Sequence, residues 1–175
     1  MKNTFLILSL SLAACGPLAE VEMTDDALPA IDESACSRER LETDGRDSSE
    51  LKPLPPGPWV VSTTYLRLPL TKSALAKFRE LNQPMEDALR ANPGLIQAVT
   101  RISGACNTAR TFAVWKDEAS MYAFVMSEAH ANAMANVAKV SRGGSIVTNW
   151  KATTPEEVSW QTATQKLAAH TGSVY

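Results

Sequence analysis

Residues 110–137 constrain the fold more tightly than any other stretch. Thr111 to Trp115 is mostly apolar and bounded on both sides by charge (Arg110, Lys116), which predicts a short buried strand. Asp117 follows at once as an N-cap, with Glu118 in the first turn where the helix dipole favours an acid. The strand therefore runs directly into a helix, rich in Ala and Met, that carries Ser127 and His130. With Tyr122 at the centre of the buried face, Val125, Met126, Ala129 and Ala133 share it and His130 falls on its flank. Phe124 then points the opposite way. Either the helix kinks near Ser127, with Ser127 as a second N-cap turning Phe124 inward, or Phe124 meets another surface.

The flanking sequence supplies the partners. Trp59 to Leu68 alternates and reads as a strand with useful residues on both faces, ended by Pro69. Thr71 caps a helix from Lys72, whose Leu75, Phe78, Leu81, Met85 and Leu89 recur at helical spacing. Pro84 is expected to kink or restart that helix, and Asn92-Pro93-Gly94 to stop it. Leu95–Ile102 and Arg110–Trp115, joined by the turn Ser103–Asn107, form a hairpin. Gly143-Gly144 breaks the chain before a fourth strand, Ser145–Trp150. Thr154-Pro155-Glu156-Glu157 is a capping box, predicting a last helix over 155–169.

The order β-α-β-β-α-β plus a helix is the ferredoxin-like α+β arrangement, an antiparallel sheet with an added C-terminal helix. Its two helices cover one sheet face. Phe112 and Val114 lie on one side of their strand, Ala113 and Trp115 on the other, so both faces are apolar. The second face needs a cover: a second subunit, or the C-terminal helix with the segment preceding the domain.

That segment differs in character. Residues 16–57 hold eleven acids and four bases, residues 58–175 eight acids and twelve bases. The first part lacks a hydrophobic period and ends in Pro53-Leu54-Pro55-Pro56-Gly57-Pro58. It reads as a solvated acidic tether, or as one whose acids dock on the basic domain. The domain's excess of bases is too small and too scattered to imply nucleic acid. Before the tether, Met1-Lys2-Asn3 is basic and Phe5–Ala14 is an apolar run too short to span a bilayer, as in a secretory signal. Leu12-Ala13-Ala14-Cys15 resembles a bacterial lipobox. The resemblance implies a signal peptide over 1–14 and a lipidated Cys15. With Gly16 rather than Asp after the Cys, it further implies attachment to the outer membrane facing the periplasm. In such an oxidising compartment Cys36 and Cys106 are expected to form a disulfide that pins the tether to the domain; the alternative is two free thiols. Their spacing does not resemble a metal site.

Trp115 followed by Lys-Asp-Glu-Ala-Ser-Met-Tyr-Ala-Phe, then Ser127-Glu-Ala-His130, resembles the dimeric α/β-barrel superfamily over residues 59–152. The nearest relatives by this resemblance are antibiotic-biosynthesis-monooxygenase-like and spheroidene-monooxygenase-like domains. The resemblance implies a homodimer and a cleft between the sheet and the second helix, bordered by His130, Ser127, Phe124 and Trp115. It implies a small apolar or aromatic ligand and, for a monooxygenase, chemistry that uses the substrate's own reactivity with oxygen, without a bound cofactor. Haem-degrading members carry an Asn on the first strand and a His about ten residues after a helical aromatic. Here no Asn occupies the first strand and that spacing from Phe124 lands on Met134, a departure from the haem-degrading pattern, so no cofactor is expected and haem, tested at His130, is the alternative.

His130 is read either as a satisfied structural group or as a ligand-contacting base. Tyr65, Arg67 and Arg101 form a possible ring of cations and aromatics, suited to a carboxylate-bearing ligand or to a dimer interface. No paired carboxylates, Ser-His-Asp order, phosphate loop or metal motif is present. The expected function is a lipid-anchored envelope domain that binds a small apolar molecule, monooxygenase-like if it is an enzyme. The competing expectation is a non-enzymatic dimerisation or protein-interaction module.

Overall fold

In the computed structural model the described residues are 26–38 and 51–172, so Cys15 and the signal segment lie outside them. Four strands, β1 (Trp59–Arg67), β2 (Leu95–Ser103), β3 (Thr108–Trp115) and β4 (Ile146–Ala152), form one antiparallel sheet in the order β2-β3-β1-β4. With α1 (Lys72–Ala91) between β1 and β2 and further helices between β3 and β4, this is the ferredoxin-like α+β fold.

Local chemistry sets the boundaries. Thr71 caps α1, its hydroxyl accepting from the Ala74 N–H at 3.3 Å. The helix then continues through Pro84 without restarting. Its apolar face, including buried Leu81, is fixed by packing, which outweighs the one backbone hydrogen bond a proline removes. Asn92 ends it and organises the next turn: its side-chain amide donates to the Ser120 carbonyl at 2.9 Å and accepts from Gly94 N–H at 2.8 Å. Gly94 is required there, because a Cβ would stand 2.0 Å from the Ser120 hydroxyl oxygen. The turn thereby fixes the entry of α2 (Glu118–Val125), which Asp117 caps by accepting from Ser120 N–H at 2.7 Å.

The strand residues divide by parity. Even residues of β1 face α1, α2, α3 (Glu128–Ala135) and α4 (Val137–Val140). Odd residues face the other way, where Trp59, Val61, Phe112, Val114, Trp150 and Ala152 pack against Val158, Trp160 and Ala163. The Phe112 ring meets Trp160 at 5.1 Å and Trp150 edge-on at 6.1 Å. The C-terminal element is shorter than the predicted 155–169. Pro155–Glu157 is a single 3-10 turn, with the Glu157 carboxylate accepting from Thr153 and Thr154 N–H groups. Ser159 then recaps the chain to start α5 (Trp160–Ala168). The recap lets α5 change direction and lie across the sheet.

Part of the preceding segment joins this cover, so over the described residues it departs from a solvated tether. Leu51 and Leu54 pack on the same apolar cluster, and Lys52 pairs its backbone N–H and C=O with the Gln97 side-chain amide at 2.8 and 3.2 Å. Residues 26–38 form a strap. Asp26 hydrogen-bonds Ser73 at the start of α1, Leu28 N–H donates to the Leu70 carbonyl, and Cys36 forms a disulfide with Cys106. Cover that a second subunit would otherwise have to give is thus supplied by the chain itself.

The disulfide closes a loop with a sequence separation of 70 residues. Replacing both partners by Ser is expected to lower unfolding stability by about 4 kcal/mol, read from urea denaturation against the oxidised wild type. An unchanged midpoint would mean that the strap contributes nothing to the fold.

Candidate functional site

The central stretch builds a cavity because its helix breaks. Ser127 leaves helical geometry (φ −65°, ψ 149°) and its hydroxyl accepts from His130 N–H at 3.3 Å, starting α3 as a separate helix. Phe124, three residues on from buried Met121 in α2, points inward, where its ring stacks 5.5 Å from Trp115 and meets the His130 ring edge-on at 5.1 Å. The buried side of α2 is centred on Met121 (3% exposed), not on Tyr122 (53%) or Met126 (78%). Every position from Met121 to Met126 except Ala123 carries a large apolar group, so periodicity alone cannot orient this helix.

Between these helices and the β1–β4 half of the sheet lies a cavity of about 460 Å³. Ser62, Thr64 and Leu66 line it from β1, Val147 and Asn149 from β4, and Met121, Tyr122, Val125, His130 and Met134 from the helices. No Asp, Glu, Lys or Arg stands in the lining. Three of its hydroxyls are already engaged. Ser62 accepts from the Trp115 indole N–H at 3.0 Å, Thr64 shares a 2.6 Å hydrogen bond with Thr111, and Ser145 accepts from Arg67 N–H at 3.0 Å.

His130 differs from these. The Val125 backbone carbonyl is turned toward its ring and favours the charged form. Burial pushes its pKa below the ordinary 6.5 and outweighs the opposing pull of the Val125 carbonyl, so the imidazole is neutral at pH 7. It is a half-buried hydrogen-bond acceptor and proton acceptor in an apolar, charge-free chamber.

The structure divides the residues expected to form one pocket. His130 lines the cavity. Phe124 and Trp115 back it, and Ser127 acts through the helix break. Tyr65 borders the lining, but its ring belongs to the opposite sheet face, packed with Ile146 and Leu167 and stacked under the Arg110 guanidinium at 4.7 Å. Arg101 lies over the Trp160 ring at 4.7 Å. Arg67 pairs with Glu33 at 2.7 Å and donates to the Gly143 carbonyl at 3.1 Å. The ring of cations foreseen for a ligand carboxylate therefore binds the strap and α5 instead. Ser62, Thr64, Met121, Met134 and Asn149 were not singled out from the sequence. The even parity of Ser62 and Thr64, which puts them on the face opposite Tyr65, is the signal that could have found them.

No protein-family model matches the chain, and no curated protein matches it. Solved structures do resemble it. Rv0793 from Mycobacterium tuberculosis is 17% identical, over 53% of this chain and 92% of that one, with a TM-score of 0.47. SnoaB, a cofactor-independent oxygenase from Streptomyces nogalater, is 15% identical over 55% and 94%, with a TM-score of 0.44. A structure described as an antibiotic biosynthesis monooxygenase is 12% identical over 53% and 97%, with a TM-score of 0.46.

The lowered His130 pKa makes a signed prediction. Below 6.5 the unfolded chain binds a proton at this position more readily than the folded chain. Stability must therefore fall as pH drops from above 6.5 through the lower folded pKa. His130→Gln removes the dependence. Urea titrations on both sides of 6.5 should show wild type losing more stability toward acid than the variant; parallel losses would place no buried neutral imidazole at 130.

Proposed function

We propose that the chain is a lipid-anchored protein of the bacterial cell envelope whose ferredoxin-like domain binds a small, uncharged apolar or aromatic molecule. One observation carries the ligand reading: a cavity of about 460 Å³ with no charged side chain in its lining and one neutral imidazole. That volume falls within the range of small-molecule sites. A ligand carboxylate or ammonium would lose its hydration there and find no opposite charge. A ligand hydroxyl would find His130 as its acceptor.

The same argument tests haem. His130 offers an imidazole, but two porphyrin propionates would meet a lining without Arg or Lys. The residues present do not fit that group, and no step is assigned to it. The monooxygenase reading, which rests on the resemblance of residues 115–130, requires only this chain's side chains and molecular oxygen. His130 accepts the proton of a phenol or enol, and the resulting electron-rich carbon reacts with O2. One oxygen atom remains as a carbonyl in place of two hydrogens; the other leaves with them as water. The anchor is Cys15, whose acyl chains each contribute about 0.8 kcal/mol per buried CH2.

A paired titration tests the cavity. 1-Naphthol, neutral, should quench the intrinsic fluorescence saturably, while 1-naphthoate, of similar shape but charged, should bind at least about tenfold more weakly. Met134→Trp, which fills the cavity, should weaken naphthol binding by a similar factor. Equal affinity for the two compounds, or naphthol binding unaffected by Met134→Trp, would refute the site.

A further inference from the structure

Among the described residues the exposed large apolar side chains are Ile102, Tyr122, Met126 and Val147. Three of these four gather at one place. Tyr122 (53% exposed) and Val147 (43%) stand in the lining of the cavity, and Met126 (78%) follows one turn after Tyr122, its N–H bonded to the Tyr122 carbonyl at 2.8 Å. Exposed apolar side chains therefore flank the cavity. An apolar rim around an apolar cavity asks for an apolar neighbour.

The strap limits which neighbour that is. As a free tether, residues 16–57 would let the domain range far from the bilayer. The described strap is docked from Asp26 onward: Asp26 holds Ser73, the Asp26 carbonyl accepts from Lys72 N–H at 2.8 Å, and Ala27 bridges Thr71. Only residues 16–25 then separate Cys15 from the folded domain. Ten residues reach at most about 35 Å when fully extended. The docking point also lies at the cavity's end of the sheet. It follows directly on the C-terminal end of β1, whose Thr64 and Leu66 line the cavity beside Ser145 and Ile146 at the start of β4.

We infer that the rim of Tyr122, Met126 and Val147 rests on the bilayer surface, and that the cavity takes its uncharged ligand from the lipid phase. The inference rests on the Cys15 anchor and the cavity reading given above. It assigns the ligand a source: a compound that partitions into membranes and reaches the protein without crossing water. It also gives the short anchor a purpose, since a domain tied within about 35 Å of the lipid can keep one face against it. Side chains of this kind insert about 5–10 Å into the headgroup boundary.

The test uses the whole anchored protein, reconstituted through its own lipid into vesicles of phosphatidylethanolamine and phosphatidylglycerol that contain a doxyl-labelled phosphatidylcholine. With Cys15 lipidated and Cys36 joined to Cys106, an environment-sensitive fluorophore attaches only at an introduced thiol. Three proteins are compared, labelled at Met126→Cys, at Val147→Cys and at Gln161→Cys. Gln161 is exposed at the start of α5, on the opposite sheet face and toward the opposite end. The expected result is quenching at 126 and 147 at least about twofold greater than at 161, with blue-shifted emission at the first two. Equal quenching at all three positions, or stronger quenching at 161, overturns the inference. The intact mass of the purified chain reports the lipid on Cys15 independently, and the naphthol titration reports the cavity. Failure of the orientation is thereby separated from failure of either premise.

Discussion

A four-stranded sheet that is apolar on both faces cannot stand in water, and most of this structure follows from how the second face is closed. The helices between strands cover the side of Val60, Ala113 and Trp115. The other side carries Phe112, Val114, Trp59 and Trp150, and a fully buried side chain of this size contributes roughly 1.5–3 kcal/mol over an exposed one. The chain meets that requirement from both ends of the domain. Trp160 and Ala163 arrive from the C-terminal side, and Leu51 and Leu54 from the N-terminal side. The break at Val158–Ser159 belongs to the same requirement, because a single helix continuing from Pro155 would keep one direction.

Arginines fasten the cover. Arg110 is buried within β3, which is tolerable for a charged group only if its donors are met. They are met by the carbonyls of Ser37 and Arg38 in the strap and by the face of Tyr65. Arg142 donates to the carbonyls of Leu68, Cys106 and Asn107 and to the Glu33 carboxylate, tying the ends of three strands to the strap with one planar group. Glu33 in turn is shared with Arg67, and the two guanidiniums hold its carboxyl below the usual carboxylate range. The uneven charge between residues 16–57 and 58–175 is, over the described residues, partly an intramolecular match. Each surface pair alone would contribute little. The carbonyl contacts of Arg142 and Arg110 specify a unique docking in a way a loose ion pair would not.

Local chemistry was legible and remote chemistry was not. Thr71 and Asp117 cap N–H groups three residues on, and Asn92 accepts from Gly94 N–H two residues on, so these caps and this stop could be read directly. Ser127 was legible for the same reason: its hydroxyl caps the His130 N–H three residues on. The disulfide followed from counting cysteines and from the oxidising compartment that the sequence reading expected. Arg67 and Arg101, read as part of a ligand ring or a dimer interface, meet Glu33 and Trp160, which lie tens of residues away and share no periodicity with them. The orientation of α2 was lost because its apolar residues surround the helix; the Asn92–Ser120 contact that sets it joins positions 28 apart in sequence. The span of α5 was overread because a capping box reports where a helical turn starts and says nothing about its length.

The strap and the cavity are two uses of one strand. On β1 the odd residues Tyr65 and Arg67 turn toward Arg110 and Glu33, while the even residues Ser62, Thr64 and Leu66 turn toward the helices. Alternation thus sends the cations to the face that must be fastened and leaves the face beneath α2 and α3 without charge. His130 owes its lowered pKa to that separation: no carboxylate is near enough to favour the imidazolium, so burial decides. Had Arg67 or Arg101 reached the cavity, a ligand carboxylate would be the natural guest. With both committed to the opposite face, the lining keeps no charged side chain, and its polar groups are the His130 imidazole, the Asn149 amide and a few hydroxyls among apolar neighbours.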